Sequence, residues 1–186
     1  CFAADRLDET GVIEEGPTPD RTGSDAALPV QRRHAAHYAA WGSPSSFEAL
    51  FTRADHHWKM EMEFDNLMAG VTRALHAGLG QIAAECALAA LYVLRRTGPV
   101  ELGLRVSDRL LDSPDTTDIG SVTLGRLLLH RSNILRRQGR LDDASQDARA
   151  ALDHARAEGQ RERECGSLAA LGLLAILVGA LVMTAC

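Results

Sequence analysis

Residues 127–160, LLLHRSNILRRQGRLDDASQDARAALDHARAEGQ, constrain this chain more than any other stretch. Leu128, Ser132 and Leu135 are spaced by four and then three, which places them on one face of a helix. Beyond Gly139-Arg140, the residues Leu141, Ala144, Ala148, Ala151, Leu152 and Ala155 recur at the same period. The spacing predicts two antiparallel helices joined by a tight turn. A hairpin that is apolar along one side cannot cover that side alone, so it must pack against further helices. A unit of this kind implies a surface offered to a partner rather than a reaction centre.

The composition agrees with a helical chain. Hydrophobic residues make up 46 % of the 186 and aromatics only 4 %, so Ala and Leu carry most of the apolar content. Both are strong helix formers, and β-branched residues are scarce. With 20 Lys and Arg against 25 Asp and Glu, the formal net charge is −5. That leaves no basic excess to neutralise a phosphate backbone, which argues against direct nucleic-acid binding. The cysteines at 1, 86, 165 and 186 form no C-x-x-C pair and match no zinc spacing. Cys86 and Cys165 sit in apolar helical patterns and are expected to be small buried hydrophobes in a reducing, cytoplasmic compartment. The chain begins with Cys rather than Met and is expected to be a piece of something larger.

Residues 3–10 resemble the end of a connecting helix, and 12–29, rich in Gly, Pro and acidic residues, reads as a disordered loop. Residues 31–78 form a helical cap: a helix over Gln31–Trp41, a short one from Phe47 capped by Ser46, and a longer one over Trp58–Ala77. Gly78-Leu79-Gly80 stops the last of these. Helices are then predicted over Gln81–Arg96, Pro99–Leu111, 121–137, 141 onward and 165–178. Gly98, Gly139 and Gly179 each follow a Leu- and Ala-rich helix, separated by 41 and 40 residues. Corners at near-constant spacing predict a stacked array over 79–186, with its last unit incomplete.

Residues 127–160 resemble a tetratricopeptide repeat. Leu128 and Leu135 occupy large apolar positions, Gly139 the turn, and Ala144 and Ala151 the small positions. Arg131 and Ala148 depart from the pattern. Leu168, Leu171, Gly172 and Gly179 resemble the first half of a following copy, and 84–111 a weaker preceding one with Gly98 at its turn. RRHAAHYAAW (32–41) and EFDNLMAGVTRALHAG (63–78) resemble the helical arm of bacterial signal-transduction ATPases with numerous domains. The resemblance implies an all-α, right-handed solenoid of antiparallel helix pairs with an N-terminal helical cap, acting as the sensor or scaffold arm of a STAND-type ATPase. No G-x-x-x-x-G-K-[ST] loop occurs in the sequence, so any nucleotide site would lie upstream.

Residues that suggest chemistry read more simply as structure. His34, His37, His56 and His57 lack an HExxH pattern and nearby cysteines, so no metal is expected. Glu61 and Asp65 fall at i, i+4 on a solvated face. Ser121, Ser132 and Ser167 lie in no nucleophile elbow. Arg131, Arg136, Arg137 and Arg140 lie beside Asp142 and Asp143, as in an ordinary charged surface. No catalytic residue, cofactor or metal is assigned, and the chain is expected not to be an enzyme.

Residues 167–186, SLAALGLLAILVGALVMTAC, carry no charge. Hydropathy and length suit a transmembrane helix over 167–185, with Ala175 and Gly179 as a small-xxx-small pair. Repeat phasing instead makes 165–178 a helix buried between neighbours. The favoured expectation is a protein-interaction or effector-sensing module, binding a protein or peptide partner, or adjacent domains of its own regulator, on the faces of 81–96, 121–137 and 165–178. His130, Arg131 and Asn133 are the contact candidates. The alternative is a scaffold tethered to a membrane through 167–185.

Overall fold

A computed structural model describes residues 24–53, 55–112 and 118–185. Among them the regular structure is entirely helical: α1 (Ser24–Ala39), α2 (Pro44–Thr52), α3 (His56–Met62), α4 (Phe64–His76), α5 (Gly80–Thr97), α6 (Val100–Asp112), α7 (Ser121–Arg137), α8 (Leu141–Ala157) and α9 (Arg161–Ala185). A 3-10 turn over Ala40–Gly42 follows α1. Residues 3–10, and most of the expected loop, lie outside the described residues.

α5 is the centre. Ala83, Ala84 and every residue from Cys86 to Leu94 are buried. A helix apolar on all sides needs neighbours on all sides. α1, α4, α6, α7 and the 3-10 turn all pack on it. Val71, Ala74 and Leu75 of α4, Val106 and Leu110 of α6, and Leu127 and Ile134 of α7 close one side. Leu50, Met60 and Leu67 close another against Ala89, Ala90, Tyr92 and Val93. At Gly42 the turn approaches α5 so closely that a Cβ would fall 1.8 Å from the Glu85 carbonyl oxygen.

From α4 onward each helix packs on the next, while α5 packs on α7 and α7 on α9. α8 meets α7 through Ala144, Ala148, Ala151 and Ala155, all buried small residues that let the backbones approach. Leu135, Ala144 and Ala148 join Leu174 of α9 in a third apolar cluster.

Three of the turns share one hydrogen-bond pattern. Leu79 N–H donates to Ala74 O, Arg140 N–H to Leu135 O, and Gln160 N–H to Ala155 O. Each closes a six-residue loop around a glycine, Gly78, Gly139 or Gly159, with φ between 63° and 76°. The left-handed backbone there favours glycine.

Several boundaries differ from the sequence expectations. α1 already begins at Ser24, so 24–30 are helical; Pro29 lies early in the helix and forgoes a single backbone bond. Ser43, not Ser46, caps α2, its Oγ accepting from Ser46 N–H with Pro44 in the first turn. The helix expected over Trp58–Ala77 breaks at Glu63 into α3 and α4. Glu61 therefore pairs with Arg96 rather than neighbouring Asp65.

Gly179 is not a corner. It lies inside α9, a single helix of 25 residues. The residues around it are apolar with no polar break, and a glycine alone costs a helix only about 1 kcal/mol. The corner sequence reasoning passed over is Gly159, 20 residues after Gly139.

Candidate functional site

A groove runs along α7, walled by α2 on one side and the start of α9 on the other. Phe47, Glu48, Arg126, Leu129, His130 and Arg163 line it. It continues past His130 and Leu129 into a second hollow formed by Leu50, His57, Tyr92, Arg95 and Asn133. The i, i+4 spacing of Arg126 and His130 puts both on the same face of α7. α2 reaches this face because the 3-10 turn folds the chain back after α1.

Aromatic rings form the floor. The Phe47 ring stands edge-on to Tyr92 at 5.8 Å and to His130 at 6.0 Å. His57 Nδ1 lies 2.7 Å from the Tyr92 hydroxyl. The Arg126 guanidinium lies 4.7 Å above Phe47, and the Arg95 guanidinium 5.5 Å from the Tyr92 ring centre.

The electrostatics are mainly cationic, with Glu85 and Glu162 as partial counterweights. Arg126 is only 8 % exposed and makes no ion pair or hydrogen bond among the described residues. Burial lowers its pKa to about 10, helped by the charge of Arg163 and opposed by that of Glu85. Arg163 is lowered too, by burial. Burial, with Arg95, Arg126 and Arg163 around it, brings His130 down to about 3, so its imidazole is neutral at physiological pH.

The three contact candidates separate. His130 and Asn133 both line the second hollow. Asn133 also donates to the Leu129 carbonyl one turn back at 2.9 Å. Arg131 is committed elsewhere: it donates to both Asp147 oxygens, at 2.7 and 2.8 Å, and to Asp108 at 3.0 Å. It ties α6, α7 and α8 together. Gly98 and Gly139 stand at helix ends with positive φ. Leu128, Leu135, Ala144 and Ala151 are buried in the packing, while Leu171 is half-buried and Gly172 exposed.

Sequence reasoning missed Arg126, Phe47 and Arg163. The only signal available was the phase of Arg126 with His130; the approach of α2 and α9 is a tertiary event. Among the described residues no cluster of His, Cys, Asp or Glu could hold a metal ion.

The other prominent surface is α9. Ser167 and Leu174 are buried. Ile176, Leu181, Val182 and Met183 are 69, 61, 58 and 81 % exposed. Over 161–183 the helix is long and apolar enough to cross a membrane, by length and composition. The expected burial of 165–178 between neighbours is therefore not what α9 shows: most of its apolar surface faces outward.

Comparison with known proteins finds no matching family model, no matching characterised protein and no matching solved structure.

Proposed function

We propose that the chain is a helical-repeat interaction module that seats a protein or peptide partner, or an adjacent domain of a larger bacterial regulator, in the groove between α2, α7 and α9. In this reading α5–α6, α7–α8 and α9 are successive members of a right-handed, tetratricopeptide-like solenoid, and α1–α4 are its cap. The supporting observation is the row Arg126, His130 and Arg95, with Phe47 and Leu129. These side chains line an open groove, and Arg126 is desolvated there with Glu85 nearby but no ion pair among the described residues. Aromatic and Arg side chains concentrated in a concave surface suit partner recognition. A photo-crosslinking residue at position 130, compared with one at the exposed Arg149 on α8, tests this. A discrete partner adduct at 130 and not at 149 is expected; equal labelling at both, or none at 130, contradicts it.

A second reading has its own support in α9. Its 25 residues extend about 37 Å at 1.5 Å per residue, against a bilayer core of about 30 Å. On this reading 167–185 anchors the module to a membrane. The span would require α9 to leave α8, because Leu174 is packed on Leu135, Ala144 and Ala148. The 11 residues 175–185 beyond it reach only about 16 Å, roughly half the core. Cell fractionation of the chain with and without 167–185 tests it: sedimentation with membranes only when those residues are present supports the anchor, and identical behaviour of both forms refutes it.

A further inference from the structure

Arg126 presents a specific energetic problem. A guanidinium taken out of water normally gains a carboxylate in return. Here it lies over the face of Phe47, and the nearby Glu85 offsets part of its charge without forming an ion pair among the described residues. Arg163, across the groove on α9, is half-buried; its Nε donates to Gln160 Oε1 at 3.4 Å, and it makes no ion pair among the described residues. Both line the same groove and the small hollow beneath it, next to Ser121 and Gln160. The groove lining also includes the first residues of α9, from Gly159 to Arg163. The start of a long helix adds partial positive charge, which Glu162 and Glu164 in its first turn partly offset. Glu48 and Glu162, the acids of this lining, are exposed and form no ion pair among the described residues.

We infer that the hollow between Arg126 and Arg163 is an oxyanion site for a phosphate monoester, whose dianion pairs with the two guanidiniums while its organic part lies along Phe47 and Leu129. Two guanidiniums that feel Glu85 and Glu162 nearby but form no ion pair with either match a dianion better than a single carboxylate. Neutral His130 leaves the apolar side of the site intact. The same phosphate chemistry is offered by a soluble effector and by a lipid headgroup. Arg163 stands two residues before the uncharged stretch that begins at Cys165, so either source can reach it. This site is independent of whether a protein partner uses the rest of the groove.

The test uses the full chain in nonionic detergent with phenyl phosphate, followed by calorimetry, and reconstituted with phosphatidylcholine vesicles containing or lacking roughly one-fifth phosphatidic acid. Binding to phenyl phosphate, or selectively to the phosphatidic acid vesicles, is expected, and should weaken as salt is raised. Arg163→Gln and Arg126→Met should each reduce it by about tenfold or more. Arg163→Gln is the safer variant, because its side chain is only half-buried; circular dichroism confirms that each variant folds. Binding of phenyl phosphate identifies a soluble effector, and binding confined to the acidic vesicles identifies a headgroup. Absence of binding to both probes, or binding unchanged in folded Arg163→Gln, overturns the site.

Discussion

Arg131 on α7 grips Asp147 on α8 through two parallel hydrogen bonds of 2.7 and 2.8 Å. The Asp147 side chain is 7 % exposed and the Arg131 side chain 21 %. Asp108 on α6 adds a third, more exposed contact. Three helices thus converge on one cation. Arg131→Ala leaves Asp147 buried without its partner and should cost about 2–4 kcal/mol in a denaturant titration. The double variant Arg131→Met with Asp147→Leu should recover much of that loss, since it removes both charges. Equal destabilisation of the single and double variants would show that the pairing is not what matters there.

Gly42 should be intolerant of any side chain. A Cβ at 1.8 Å from the Glu85 carbonyl oxygen can be relieved only by moving the 3-10 turn off α5. Gly42→Ala should therefore lose about 3 kcal/mol or more, or fail to fold. Gly172→Ala, where nothing lies within 4 Å, should leave stability equal or slightly higher. Thermal melts of the two variants compare them directly.

Thiol reactivity should divide by burial. Burial pushes the Cys86 thiol up to about 12, and its Sγ donates to the Ala35 carbonyl at 3.4 Å. Cys165 is exposed. In native protein, peptide mass spectrometry after brief alkylation should find Cys165 modified and Cys86 untouched until denaturant is added. Rapid labelling of Cys86 in the native chain would contradict its placement between α1 and α5.

The acid side of the stability profile should depend on His130. Its pKa is about 3 in the folded chain against an ordinary 6.5, so the unfolded chain binds the extra proton first. This contribution is complete above pH 6.5 and is lost as pH falls from there toward 3. Between pH 7.5 and 5 the loss should be about 2 kcal/mol. His34 and His56 are lowered in the same sense, mainly by burial, so His130→Gln should flatten the slope without abolishing it. An unchanged slope in His130→Gln would exclude the desolvated imidazole.

Much of the architecture was legible because it is local. Ala and Leu at helical period placed α5, α7 and α8 nearly to their ends, and Gly139 marked a true corner. What failed depended on distant groups. The Trp58–Ala77 pattern is continuous, yet the chain breaks at Glu63, whose carboxylate accepts from Tyr38 of α1 and from Asn66. Arg131 looked free for a partner because Asp108 and Asp147 are far away in sequence. Gly179 looked like a corner because glycine spacing alone does not tell a helix end from a tolerated glycine. The groove residues Phe47, Arg126 and Arg163 come from three separate helices, so no window of sequence could bring them together.

The helices cover one another in succession, and Leu174 is the last buried residue of α9 among the described residues. Hydrogen exchange with mass spectrometry on three chains, ending at Cys186, at Leu174 and at Gln160, tests that most directly. Protection of α7 and α8 should be the same in the first two and clearly lower in the third, where Leu135, Ala144 and Ala148 are uncovered. Equal protection in all three chains, or loss of protection already in the chain ending at Leu174, would contradict it.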